Sequence, residues 1–176
     1  GNIFLLIIKF IVAYISHSHA LIADATNSLG DIFSSLMTSI GNKIASVPND
    51  EDHNFGHGKA EYIFSLLISI FMILLSIKIL TDSVLAIISK QEFIFSNSLI
   101  IVCIITIIIK LSLYLYCKNI YKNHPNILIK ANMNDHRNDV LLTMGTLISV
   151  ISGKYGIFFL DGILGSIISI YILLSG

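Results

Sequence analysis

The chain has 176 residues, of which 55% are hydrophobic and 12% are charged, and its mean hydropathy is +0.83. A soluble domain carries about 25% charged residues, so this composition excludes an ordinary soluble domain and indicates a lipid environment. The formal net charge is zero and the lysines are not clustered, which excludes the basic surface of a nucleic-acid-binding protein.

Apolar segments recur along the whole chain. A membrane-spanning helix needs about 20 mostly apolar residues, and six segments are candidates for such a helix. We therefore predict an all-α membrane protein, a single domain built as a bundle of six transmembrane helices. The predicted spans are 1–17, 20–46, 61–88, 97–118, 127–152 and 157–175.

The lysines near the span ends predict the orientation of the bundle. The side with more Lys and Arg is normally cytoplasmic, and six spans return the chain to the side on which it began. We therefore expect a multi-pass protein of the cell membrane with both termini in the cytoplasm. The lysine-rich side has Lys43, Lys59, Lys118, Lys122 and Lys130, and the opposite side has Lys90 and Lys154.

The second predicted span contains the polar stretch NSLGDIFSS. Asn27 and Asp31 are four residues apart, so their side chains lie on one face of a helix. A charged group at the centre of a bilayer costs about 3 kcal/mol. That cost requires a cation, an ionic partner or a water-filled cavity next to Asp31.

The fifth predicted span repeats this arrangement in NDHRNDVLL, where Asp135 and Asp139 are also four residues apart. Two aligned carboxylates repel each other unless one stays protonated or both bind a divalent cation. His136 is about 100° around the helix from Asp135, so we expect it outside this group. If spans two and five are neighbours, an oxygen cage forms near mid-membrane from Asn27, Asp31, Asp135 and Asp139.

Ion pairing within the membrane is an alternative explanation of these aspartates. Arg137 is close in sequence to both carboxylates of the fifth span and could pair with one of them. Lys9, Lys78 and Lys110 also fall within predicted spans, where they are either paired inside the bundle or extended towards the interface.

Three further aspartates lie near the predicted span ends. Carboxylates at helix ends commonly face water or cap a helix N-terminus. We expect one of these two roles for Asp24, Asp82 and Asp161.

The connection before the third span, DEDHNFGHGKAE, is a second candidate metal site. Asp50, His53 and His57 have the spacing of metal ligands, and two imidazoles with a carboxylate suit zinc or a similar divalent ion. The alternative is a polar interfacial loop whose histidines have no metal role.

Three stretches together resemble the cation diffusion facilitator family of divalent-metal/proton antiporters: ALIADATNSLGDIFSS, DEDHNFGHGKAE and KANMNDHRNDVLLTMG. The resemblance extends over essentially the whole chain. It implies a cation-efflux fold in which Asn27, Asp31, Asp135 and Asp139 form the transport site. It also implies a second, interfacial site at Asp50, His53 and His57, which not all members of the family keep.

The predicted transport site lacks the imidazole that zinc members of the family carry. Asp135 stands where a zinc member has His, and an oxygen-only site favours the harder Mn²⁺ over Zn²⁺. The chain thus resembles the manganese branch, which implies Mn²⁺/H⁺ antiport with no cofactor other than the transported metal. Efflux of Zn²⁺, Fe²⁺ or Co²⁺ by the same mechanism is the alternative.

Family members usually continue past the sixth span into a cytosolic metal-binding domain, and we expect that domain to be absent from these 176 residues. The resemblance implies that the protein interacts with divalent ions, protons, the lipid bilayer and a second copy of itself. It also implies that the protein is a transporter and not an enzyme. Two other classes stay open on the residues alone. These are an intramembrane aspartyl protease and a metal-binding scaffold or sensor that does not transport.

Overall fold

The computed structural model describes residues 2–45, 60–123 and 127–175, and this part of the chain is helical with no strand. One helix corresponds to each predicted span. Most helix ends lie within two residues of the predicted ends, but the fourth helix continues to Asn123. The helices are α1 Asn2–Ser16, α2 His19–Ala45, α3 Ala60–Ile88, α4 Asn97–Asn123, α5 Ile127–Lys154 and α6 Phe159–Ser175.

Helix α2 is the centre of the bundle, because it contacts α1, α3, α5 and α6. Helix α4 packs against α5 and α1, and α3 packs against α6. The polar helices α2 and α5 are therefore neighbours, and α4 borders the region where they meet.

The described helices differ in how well they meet a length-and-hydropathy criterion for membrane spans. Tyr62–Ile88 of α3 and Asn97–Asn123 of α4 meet it, whereas Ile3–Ser16 and Phe159–Leu174 are apolar but shorter. The criterion does not select α2 and α5, which carry the polar residues of the candidate cage. Large apolar side chains of α3 and α4 are exposed on the outside of the bundle, as a lipid-facing surface requires.

One end of the bundle is closely packed. We call it the outer end, defined by residues 16–19 where α1 ends and α2 begins, and the opposite end, where α2 ends, the inner end. Small and large apolar side chains from four helices and a connecting segment fill the outer end. This cluster consists of Ala13, Leu21, Phe93, Leu99, Cys103 and Val150.

Asp161 fastens the start of α2 at the outer end, which confirms that it caps a helix. Its carboxylate accepts hydrogen bonds from Ser18 Oγ at 2.6 Å and from the backbone N–H of His19 at 2.5 Å. Ser149 Oγ of α5 donates to the same carboxylate at 2.8 Å. The first N–H groups of a helix have no intrahelical acceptor, so this contact joins α2, α5 and α6.

Candidate metal site

Polar side chains connect α2 and α5 in successive helical turns. Each step advances by three or four residues along α2 and goes back by three or four residues along α5, so the helices are antiparallel and keep one face in contact. From the outer end, the hydrogen bonds run from Thr146 Oγ1 to the Ala20 carbonyl at 3.5 Å, from Thr143 Oγ1 to the Asp24 carboxylate at 3.0 Å and from Asn27 Nδ2 to Asp139 Oδ1 at 3.2 Å.

The next turn along this interface brings the remaining two residues of the predicted cage together. Asp31 interacts electrostatically with Asp139 and Asp135. Asp31 and Asp135 are exposed, whereas Asn27 and Asp139 are buried. Within the described residues, no three His, Cys, Asp or Glu side chains are close enough together to hold one ion. The structure thus gathers the four side chains without closing them around a common point.

Asp139 forms a buried ion pair with a lysine of α4. Lys110 Nζ lies 2.6 Å from Asp139 Oδ2, and the two residues are 5% and 3% exposed. The alternative partner suggested by the sequence, Arg137, is exposed and donates to Asn138 Oδ1 at 3.4 Å instead. The ion-pair interpretation is thus correct for Asp139, but the partner is a residue distant in sequence.

The amide of Asn27 faces Asp139 with its nitrogen. A carboxylate only accepts hydrogen bonds, so the NH₂ group must point towards it in this arrangement. A metal ion would instead bind the carbonyl oxygen of the amide. Coordination by Asn27 therefore requires a half-turn of its terminal amide group.

A second buried ion pair lies one turn nearer the outer end. Lys9 Nζ of α1 is 2.9 Å from Asp24 Oδ2, and neither side chain is more than 1% exposed. The expectation that Asp24 faces water or caps a helix is therefore wrong. Helices α1 and α5 cover this turn of α2, and a carboxylate buried there needs a cation as its partner.

The sequence left two alternatives for the three intramembrane lysines, which were pairing inside the bundle and extension towards the interface, and the structure contains both. Lys9 and Lys110 are paired inside the bundle. Lys78 is exposed on α3, which agrees with a side chain that extends towards the interface.

Two cavities meet at Asp31. One has a volume of about 250 Å³ and lies between α1, α2 and α4, and the other, of about 320 Å³, lies between α2 and α3. Polar side chains on the first cavity are Lys9, Ser28, Asp31, Ser35, Thr106 and Lys110. Those on the second are Asp31, Ser34, Thr38, Ser65 and Ser69. Both cavities lead from Asp31 towards the inner end of the bundle.

His136 lies next to Asp135 in the sequence and, as expected, belongs to no group of three metal-binding side chains among the described residues. It is half-buried and interacts electrostatically with Lys110 and Asp139. Its Nδ1 atom is buried and has no hydrogen-bond partner among the described residues.

The second predicted metal site lies outside the described residues. Asp50, His53 and His57 all fall within 46–59, between α2 and α3. Their metal-binding role therefore stays a prediction.

The described helices, with large apolar side chains exposed on α3 and α4 and ion pairs buried inside the bundle, define the class as a polytopic membrane protein. Residues 1–176 match the family described as the cation efflux transmembrane domain, and the chain belongs to that family. The all-α six-helix membrane fold and the resemblance to cation diffusion facilitators are thereby confirmed.

The relatives of the chain include proteins from archaea and bacteria. An uncharacterized transporter of Methanocaldococcus jannaschii is 33% identical over 98% of this chain and 61% of its own length. The manganese efflux system protein MneS of Bacillus subtilis is 31% identical over 94% of this chain and 57% of its own. The magnetosome protein MamM of Magnetospirillum gryphiswaldense is 30% identical over 86% and 48%. The chain spans about half to three fifths of these curated relatives.

Proposed function

We propose that the chain is the membrane domain of a divalent metal efflux transporter, which exports Mn²⁺ from the cytoplasm in exchange for protons. The observation that carries this proposal is the buried contact between Asn27 and Asp139 across α2 and α5. Asp31 and Asp135 follow on the adjacent turn, and binding of a cation between the two helices then requires the four side chains to close around it.

The chemistry of these four side chains favours Mn²⁺. Carboxylate and amide oxygens suit harder cations, whereas zinc sites more often include imidazole or thiolate. The names of MneS and of a second Bacillus subtilis relative, MneP, describe manganese efflux, which supports the same metal. Efflux of Zn²⁺, Fe²⁺ or Co²⁺ through the same site is the second candidate.

Proton exchange follows from the same carboxylates. An aspartate must lose its proton before it can bind a metal ion, so binding of the metal releases protons. The aspartates interact, and their protons therefore belong to the group rather than to one residue. Re-protonation on the opposite side of the membrane weakens the site and releases the metal.

The two cavities support a conformation that is accessible from the cytoplasm. Their linings extend from Asp31 towards the inner end, which the lysine distribution assigns to the cytoplasmic side of the cell membrane. The outer end is filled by apolar side chains and fastened by Asp161. Transport then requires a helix rearrangement that opens the outer end and closes the inner one.

The remaining parts of the proposal follow from the family. Both termini are cytoplasmic, and a second copy of the protein completes a homodimer. Asp50, His53 and His57 form an additional metal site on the cytoplasmic side.

The other classes fit the site less well. An intramembrane aspartyl protease requires two carboxylates that share a proton. Asp139 instead forms an ion pair with the Lys110 ammonium and accepts a hydrogen bond from the Asn27 amide. A scaffold or sensor would bind metal without moving it. Cleavage of a peptide substrate would support the first of these classes, and bound metal without flux would support the second.

Flux in proteoliposomes tests the proposal. With an imposed pH gradient we expect Mn²⁺ uptake to exceed uptake of Zn²⁺, Fe²⁺ and Co²⁺. Asp31→Asn and Asp139→Asn should each reduce uptake to background, because each removes a negative ligand while it keeps the side-chain shape. Asp82→Asn is the matched control, since Asp82 is exposed on α3 away from the cavities. Normal uptake in both site variants would refute the proposed site.

A further inference from the structure

We propose that the Lys110 ammonium is a counter-cation for the carboxylates of Asp31, Asp135 and Asp139. An incoming divalent ion displaces this ammonium from Asp139, and the ammonium then moves to Thr106. The inference rests on the proposed metal-transport function. It assigns a role to two residues of α4, a helix that the predicted oxygen cage does not include.

The first observation is that both oxygens of Asp139 are already engaged. Lys110 Nζ lies 2.6 Å from Oδ2, and Asn27 Nδ2 lies 3.2 Å from Oδ1. A divalent ion that binds Asp139 must therefore compete with a buried ammonium. Separation of such a pair without a new partner for the ammonium is strongly unfavourable.

The second observation identifies that new partner. Thr106 is fully buried, and its Oγ1 has no hydrogen-bond partner among the described residues. Buried hydroxyl groups are nearly always hydrogen-bonded, so this one is an available acceptor. Thr106 is one turn before Lys110, and helical side chains point towards the helix N-terminus. Both residues line the cavity of about 250 Å³, which gives the ammonium room to move.

The charges of the group support this role. Asp31, Asp135 and Asp139 carry three negative charges when ionised, and Lys110 contributes one positive charge. Asp31 also interacts electrostatically with Lys110. With Lys110 nearby, the charge of the group matches one divalent cation. The returning ammonium then helps to expel the ion from Asp139.

Lys9 lines the same cavity but is held differently. Its ammonium contacts Asp24, Ser28 and Thr143 at 2.9–3.5 Å, one turn away from Asp139. Those partners hold it at Asp24. Lys110 is thus the cation placed to exchange with the transported ion.

The first test measures how Lys110→Met changes the kinetics of Mn²⁺ flux in proteoliposomes. Loss of the competitor should lower the KM about fivefold or more, as for a typical coupling between two binding events. It should also lower kcat, because release of the ion is no longer assisted. Lys110→Arg keeps the positive charge, so its KM and kcat should stay close to the wild-type values. Lys78→Met is the matched control, since Lys78 is exposed on α3 outside both cavities.

The second test uses Thr106→Val, which removes the hydroxyl while it keeps the side-chain shape. The displaced ammonium then lacks its acceptor, so the KM for Mn²⁺ should rise about tenfold. This change corresponds to the free energy lost with one hydrogen bond to a charged group. In the Lys110→Met background the same substitution should leave the KM unchanged. The Thr106→Val variant loses no hydrogen bond of the structure, so its folding is expected to be intact even where Lys110→Met misfolds.

The outcomes separate this inference from the function on which it rests. Normal flux in Asp31→Asn and Asp139→Asn would refute the transport site itself. Loss of flux in those variants, with unchanged KM and kcat in Lys110→Met or unchanged KM in Thr106→Val, would refute only the role of α4. An equal effect of Thr106→Val with and without Lys110 would also refute it, since Thr106 would then act on the metal directly.

Discussion

The residues of the site show how buried charges are compensated inside this bundle. Asp24 and Asp139 are at most 3% exposed, and the Oδ2 atom of each lies within 2.9 Å of a lysine Nζ atom from a neighbouring helix. Removal of one partner from such a pair typically costs about 3–5 kcal/mol, because the other charge stays buried. Substitutions in either pair are therefore expected to affect folding, whereas Asp31 lies on open cavities and is freer of this constraint.

At the residue scale, the identity of residue 135 is expected to set metal preference. Asp135→His introduces an imidazole nitrogen into an otherwise oxygen-only group, which favours Zn²⁺ over Mn²⁺. We expect the Zn²⁺/Mn²⁺ uptake ratio to rise by about tenfold, equivalent to about 1.4 kcal/mol of differential binding. Competition between the two metals in proteoliposomes measures this ratio.

Asp135→Asn is the control for that measurement, because it removes the charge but keeps an oxygen ligand. Its uptake ratio should stay close to wild type even if total flux falls. An unchanged ratio in Asp135→His would show that ligand hardness at this residue is not the selectivity filter.

At the scale of the helices, the outer end depends on close contact between α2, α3 and α6. A Cβ atom at Gly162 would lie 2.9 Å from the Ser83 carbonyl oxygen, and one at Gly165 would lie 3.1 Å from the backbone of His19. Small residues allow helix backbones to approach this closely in membranes. Asp161, one residue before Gly162, is thereby placed against the first turn of α2.

Asp161 is expected to contribute to stability rather than to metal binding. Asp161→Ala leaves Ser18, Ser149 and the first N–H groups of α2 without their shared acceptor. The free energy of unfolding should fall by about 1–3 kcal/mol, as is usual when buried polar groups lose a partner. Thermal unfolding in detergent measures this loss, and the KM for Mn²⁺ of the folded fraction should be unchanged.

The matched control is Asp82→Ala, which removes an exposed aspartate from α3. It should leave the unfolding midpoint within error of wild type. A wild-type midpoint in Asp161→Ala, or a changed KM with normal stability, would contradict the structural role of Asp161.

At the scale of the whole molecule, the cavities and the packed outer end predict which side of the protein is accessible. In a variant in which Cys103 and Cys117 are replaced, Thr38→Cys and Ser69→Cys should react with a membrane-impermeant maleimide in inverted vesicles, because both line the cavity of about 320 Å³. Val150→Cys should not react, since Val150 is fully buried at the outer end.

Labelling after denaturation is the control, because all three cysteines should then react. Addition of Mn²⁺ should slow the labelling of Thr38→Cys as the ion shifts the protein away from the inward-accessible conformation. Labelling of Val150→Cys as fast as Thr38→Cys would contradict the proposed direction of access.

The sequence by itself determined the helices and the spacing of the polar residues within α2 and α5. Runs of about 20 apolar residues are a local property, so six helices could be predicted with their approximate ends. The spacing of Asn27 with Asp31, and of Asp135 with Asp139, is equally local, because a helix puts residues four apart on one face. Helix capping was one of the two roles expected for Asp161 from its place near a helix end, although the helix that it caps is α2 rather than its own.

Only the tertiary structure decided which charges meet. The partner of Asp139 is Lys110 rather than Arg137, and Asp24 is buried against Lys9 rather than exposed. Neither pairing has a sequence signature, since each joins residues of different helices through the packing of the bundle. The position of a helix relative to its neighbours depends on contacts distributed over its whole length, and no short motif encodes it.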